Sequence, residues 1–92
     1  MSTISEVLKM KETVVVDVRT PAEFMGGHVG GSVNIPLNEI PQRMDELKRM
    51  GMVVLCCASG ARSMNAAMYL KQNGIECVDG GPWTNVNYYL NN

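Results

Sequence analysis

Thr13-Val14-Val15-Val16-Asp17 is an unbroken β-branched run ending in a carboxylate, and it constrains the fold more than any other stretch of the chain. A strand with one wet face alternates apolar and polar residues, whereas a run without alternation suits a parallel strand buried on both faces. Such a strand belongs in the middle of a sheet. Met52-Val53-Val54-Leu55-Cys56 repeats the pattern, and Cys57 then reads as the first residue of the loop beyond it. Helical patterns lie between and after these runs, and strands alternating with helices imply a parallel α/β sheet.

Thr20-Pro21-Ala22-Glu23 offers an N-cap, a Pro at the first helical position and Glu at N3, so a short capping-box helix is expected there, with Phe24 following. The glycine pairs Gly26-Gly27 and Gly30-Gly31 flank His28-Val29 and turn the chain into a short strand, Ser32 to Ile35, closed by Pro36. Asn38 can cap a helix whose apolar residues Ile40, Met44 and Leu47 share a face, with Pro41 in its first turn and Gly51 ending it. A further helix is expected from Ser63 to Asn73, with Ala66, Ala67 and Leu70 inward and Gly74 as its left-handed cap. Ile75-Glu76-Cys77-Val78 reads as the last strand, broken by Gly80-Gly81-Pro82. Thr84 is then expected to cap a final helix with Val86, Tyr89 and Leu90 inward.

With 92 residues the chain has room for one core, and residues 1–92 read as a single domain. Eight Lys and Arg against nine Asp and Glu give a net charge of −1, without the basic run that nucleic-acid binding needs. No apolar run approaches the ~20 residues of a membrane span, and Met1 to Glu6 lack the basic and apolar regions of a secretion signal. A cytoplasmic protein is expected. Its three cysteines, Cys56, Cys57 and Cys77, are an odd number, two of them adjacent, which argues against a disulfide framework. One histidine and no spaced CxxC or HxxxH pattern give no reason to expect a metal.

The chemistry concentrates where the second apolar run ends. Between Cys57 and Arg62 lie Ala58, Ser59, Gly60 and Ala61, all small, so their backbone N–H groups can converge into an anion-binding nest. In open parallel sheets, sites form where strand C-terminal ends meet helix N-termini, which is the position of this loop. Arg62 adds a positive charge and Ser63 a hydroxyl at the start of the next helix, both favouring a thiolate at Cys57. An unperturbed thiol of pKa ~8.5 is only about 3% ionised at pH 7, so such help decides whether it is a nucleophile. Cys56, within the strand, and Cys77, within a short apolar segment, read as small core residues. Asp17 or Glu23 is expected to pair with an arginine such as Arg62 and fix the loop. His28, between glycines, is expected to satisfy backbone carbonyls rather than to catalyse.

Three segments, Asp17 to Phe24, Gly27 to Pro36 and Cys57 to Ser63, resemble the signature segments of the rhodanese family, and Val78-Asp79-Gly80-Gly81-Pro82-Trp83 resembles its terminal Gly-Gly stretch. The resemblance implies a rhodanese-like three-layer α/β domain, a parallel sheet of about five strands with helices on both faces. It also implies a sulfurtransferase in which Cys57 takes a sulfane sulfur from a donor such as thiosulfate and becomes a persulfide. The loop from Ala58 to Ser63 would hold that sulfur, with Asp17, Arg19, Glu23 and His28 in support. Partners on this reading are small sulfur donors, thiol or cyanide acceptors, and a thioredoxin-like or sulfur-relay protein; no cofactor or metal is called for.

Family members that use thiosulfate well often carry a basic residue directly after the cysteine, where this chain has Ala58. Weak thiosulfate turnover, or a persulfide donor, is expected on that account. Two other readings of the same loop exist. Rhodanese-like phosphatases and arsenate reductases place five residues between cysteine and arginine, a spacing this chain has when counted from Cys56. Non-catalytic rhodanese-like modules bind partners and generally lack the nucleophile.

Overall fold

A computed structural model describes residues 4–9 and 12–91 of the chain. The two apolar runs become its central strands, β1 (Val14–Asp17) and β3 (Val53–Cys57). A two-residue strand, β2 (Val33–Asn34), flanks the first, and β4 (Cys77–Pro82) flanks the second. The order is β2-β1-β3-β4, all parallel, in register from Val14 opposite Val53 to Asp17 opposite Cys56. Among the described residues the sheet has four strands rather than about five. The α/β architecture and the central place of the two apolar runs are as expected.

Because side chains alternate along a strand, β3 feeds two separate cores. Val53, Leu55 and Cys57 join Val16, Ile40, Leu47, Ala66 and Leu70 on one face. Val54 and Cys56 join Val7, Val15, Val29 and Val86 on the other. The first face is covered by α3 (Met44–Lys48) and α4 (Ala61–Gln72), the second by α1 (Ile4–Leu8) and α5 (Trp83–Leu90). A fifth helix, α2 (Pro21–Met25), sits at the end of β1 and carries the expected capping box, with Thr20 and Glu23 each accepting the other's backbone N–H.

Several element boundaries differ from the sequence reading. The segment after Pro36 is a 3₁₀ helix, Leu37–Arg43, before it becomes α3, because Pro41 has no N–H to donate to an α-helical ladder. Ile40 and Leu47 are buried as expected. Strand β4 runs through Gly80-Gly81-Pro82 instead of stopping there. Its register slips from Leu55 opposite Asp79 to Cys57 opposite Pro82, and the additional residue is taken up at Gly81, whose φ of +75° is a left-handed value. Cys57 is thereby the last residue of β3, not the first of the loop. Helix α5 starts at Trp83 from an extended Pro82, with no side-chain cap from Thr84, and only Val86 is buried; Tyr89 and Leu90 face outward. Helix α4 starts two residues before Ser63, since Gly60 takes the N-cap position.

Among the described residues no helix is long and apolar enough to cross a membrane. Gly80 marks the closest approach in the sheet, for a Cβ there would lie 2.8 Å from Val86 Cγ2 and 2.9 Å from both the Leu55 carbonyl oxygen and Val54 Cγ1. Gly80→Ala is expected to destabilise the fold by about 2 kcal/mol through overpacking. Urea unfolding measures it, and an unchanged midpoint would show that α5 yields without cost.

Candidate active site

The alternation along β3 sends its two thiols to opposite faces. Cys57 points toward the start of α4, while Cys56 points toward α5 and shares its side of the sheet with Asp17. Both residues are fully buried and neither is in a disulfide.

Around Cys57 the chain turns through Ala58 and Ser59, both exposed, to Gly60, whose φ of +105° suits glycine and directs its N–H back at the sulfur. The Gly60 N–H reaches Cys57 Sγ at 3.0 Å and that of Ser63 reaches it at 3.4 Å. The thiol donates to Ser63 Oγ at 3.5 Å, and this hydroxyl donates to the Gly60 carbonyl at 3.1 Å. Burial works against ionisation of Cys57, but its hydrogen bond with the Ser63 hydroxyl and those from the N–H groups of Ser63, Gly60 and Arg62 outweigh it. The thiol is held below its ordinary pKa. The N–H groups that favour the thiolate are those of Gly60, Arg62 and Ser63, while Ala58, Ser59 and Ala61 are exposed.

Cys56 has the reverse environment. Burial, and then the Asp17 carboxylate, push its thiol up to about 12. It stays neutral, and it faces away from the loop, so counting the phosphatase spacing from Cys56 starts at a side chain on the wrong side of the sheet. Cys77 is raised by its burial and donates to the Ala67 carbonyl at 3.6 Å. Since Cys77 lies opposite Val53, Cys57 is four residues further along, about 13 Å at the rise of a parallel strand. Neither neighbour can reach a sulfur carried on Cys57 in this fold.

The two signature arginines are each paired, with different partners. Arg62 grips Glu23 in a two-pronged bridge, Nη1 to Oε1 at 2.7 Å and Nη2 to Oε2 at 3.0 Å. The guanidinium, helped by the Thr20 N–H, holds the Glu23 carboxyl at about 2, so the pair persists throughout the neutral range. This is one of the two pairings the sequence left open for Arg62. Asp17 takes the other course. Residues i and i+2 of an extended chain share a face, and Arg19 turns back on Asp17 with Nη2 to Oδ2 at 2.8 Å and Nε 3.0 Å from both oxygens. Both side chains are buried. Arg19 also donates to the carbonyls of Glu23 and Gly27 and lies 4.9 Å from the ring centre of Trp83. The spacing Asp-Val-Arg was the signal available for this pair; the Trp83 contact had none.

His28 stays outside this arrangement. Its Nδ1 donates to the Phe24 carbonyl at 2.7 Å and its ring stacks on Phe24 at 3.7 Å, the carbonyl contact expected of it. Among the described residues no three His, Cys, Asp or Glu side chains cluster as metal ligands.

A parallel sheet ending in a cysteine cradled by the next helix's first turn defines a class, and comparison with known proteins gives it a family. Residues 3–88 match the rhodanese-like domain family, and the chain belongs to it. A protein named sulfurtransferase from Allochromatium vinosum is 42% identical over 64 residues, which cover 70% of this chain and 60% of that one. Thiosulfate sulfurtransferase GlpE of Pseudoalteromonas translucida is 33% identical over 79 residues, covering 83% and 75%. Among solved structures, a rhodanese-related protein from Thermoplasma volcanium has a TM-score of 0.78 at 30% identity, covering 92% of this chain and 86% of that one. The matched segment spans 51% and 60% of the length of two curated relatives that are 42% identical.

Two outcomes follow from the site's electrostatics. Asp17→Asn leaves the Arg19 charge buried without its counterion and is expected to cost about 3 kcal/mol in urea unfolding. A loss within error of zero would show that the two carbonyls and Trp83 suffice to hold the arginine. In a Cys56→Ser, Cys77→Ser background, thiolate absorbance should rise with pH at a midpoint below that of a model thiol. Ser63→Ala should move that midpoint upward, and an unmoved midpoint would remove Ser63 from the cradle.

Proposed function

We propose that the chain is a sulfurtransferase that passes a sulfane sulfur from a donor to a nucleophilic acceptor through a persulfide on Cys57. The observation that carries this reading is the convergence of the Gly60 and Ser63 N–H groups and the Ser63 hydroxyl on one sulfur atom. Backbone donors fixed in place around an atom that becomes negative favour the charged form without reorganising when the charge appears. The relatives named for sulfur transfer support the same chemistry.

In the first step the Cys57 thiolate attacks the outer sulfur of the donor. A new S–S bond forms, the donor's own S–S bond breaks, and the donor residue leaves with that electron pair, as sulfite if the donor is thiosulfate. In the second step a thiolate or cyanide attacks the terminal sulfur of the persulfide, and Cys57 recovers the electron pair as a thiolate. Each step exchanges one sulfur bond for another, so no cofactor or outside oxidant is consumed. Because Cys57 is fully buried, a donor reaches its sulfur only when the groups packed around it give way.

Residues 1–92 act as a single rhodanese-like domain on this reading, with Glu23, Arg62, Asp17 and Arg19 as positioning residues. Three unpaired cysteines suit the reducing cytoplasm, where thioredoxin-like dithiols and small thiols are the available acceptors.

Intact-protein mass spectrometry after mixing with thiosulfate or a persulfide tests the proposal. Wild type should gain the mass of one sulfur atom, reversed by a thiol reductant, and Cys57→Ser should gain none. A gain that survives in Cys57→Ser but vanishes in Cys56→Ser would move the chemistry to the other face. No gain with any donor would favour a partner-binding module.

A further inference from the structure

Within the loop from Cys57 to Ser63 the only cationic side chain is Arg62, and it is where a donor's negative charge would look for a partner. Both prongs of that guanidinium are already occupied by the two oxygens of Glu23. A fork engaged in this way has its carboxylate-matching edge filled and its charge balanced at contact distance.

Glu23 is not free to release it. The Glu23 Oε1 atom also accepts from the Thr20 N–H at 3.1 Å and from the Thr20 hydroxyl at 3.2 Å, so the carboxylate is part of the cap that starts α2. Its carboxyl titrates at about 2, so neutral pH does not open the bridge either. The other signature arginine, Arg19, is buried and committed to Asp17. The backbone N–H groups of Gly60 and Ser63 already converge on Cys57 Sγ, and within this loop no side-chain cation is left over for an incoming anion.

We infer that Glu23 selects the class of donor: by neutralising Arg62 it makes the Cys57 site take sulfur from low-charge hydropersulfides, R–S–SH, in preference to the thiosulfate dianion. The inference rests on the sulfurtransferase reading above and deepens it. Both donors bring their outer sulfur to Cys57 Sγ, and they differ in what trails behind. Thiosulfate trails a sulfonate that departs as doubly charged sulfite, past a bridge with no net charge and past the uncharged Ala58. A hydropersulfide leaves as R–S⁻, with a single charge that a proton from water removes. In that reaction the Cys57 thiolate bonds to the outer sulfur, the S–S bond of R–S–SH breaks, and R–S⁻ takes the electron pair, leaving Cys57 as the persulfide Sγ–SH.

The experiment is time-resolved intact-mass measurement of sulfur loading at pH 7 with equal concentrations of thiosulfate and cysteine hydropersulfide, on wild type, Glu23→Gln and Ala58→Lys. Wild type should load from the hydropersulfide about tenfold faster or more, the worth of one charge-assisted contact. Glu23→Gln, which keeps an acceptor for the α2 cap while releasing Arg62, should raise the ratio of thiosulfate to hydropersulfide rates roughly fivefold. Ala58→Lys, which supplies a cation without touching the bridge, should raise the same ratio and serves if Glu23→Gln fails to fold. Equal wild-type rates with the two donors, or a ratio unmoved by the folded variants, would overturn the inference and leave the sulfurtransferase reading standing. A wild type that loads from neither donor would bring down both.

Discussion

Strand β3 has no side that faces water, and most of what is specific to this molecule follows from that. Its five residues are all buried, so each must be accepted by one of two cores, and the period of two leaves no choice about which. The adjacent thiols are thus separated by the whole thickness of the sheet's backbone, although they are neighbours in the chain. One of them meets the first turn of α4 and the other meets a carboxylate. Their opposite acidities come from these surroundings, since the side chains themselves are identical. A shift of the strand by one residue would exchange the two environments, which is why the bulge opposite Leu55 and Cys57 matters: it lets β4 adjust its register without moving β3.

Charge in the site is organised so that no positive side chain is left over. Arg19 is folded into the sheet end with Asp17, and Arg62 is tied to α2 through Glu23. Buried and half-buried ion pairs of this kind contribute little net stability but hold geometry, because breaking one strands a charge. Through them β1, α2 and the glycine turn are linked to the start of α4, and the cradle itself is built from backbone dipoles. Such a site depends on chain conformation, above all at Gly60, more than on the identity of the side chains at its rim.

Much of this was readable from local pattern. The β-branched run marked the centre of the sheet, Thr20 and Glu23 marked a capping box, and the small residues between Cys57 and Arg62 marked a turn able to aim N–H groups inward. Each of those signals acts within a few residues. The partner of Arg62 lies 39 positions away, and both Asp17 and Glu23 were open to it until the fold put Arg19 on the same face as Asp17. The end of β3 at Cys57 and the run of β4 through two glycines were hidden for a similar reason, since a bulge is a property of two strands together. Tyr89 and Leu90 failed as inward residues because α5, at eight residues, meets the sheet mainly through Val86.

Trp83 is the chain's single tryptophan, and it is the aromatic ring against which Arg19 is held. The corner where β1, the glycine turn and α5 meet therefore carries its own optical reporter. Loosening the Arg19 fork from Asp17 or from the Gly27 carbonyl would change the cation lying over the indole. Emission from one native chromophore would register it, so the integrity of the scaffold beside the reactive cysteine can be followed in solution without a label.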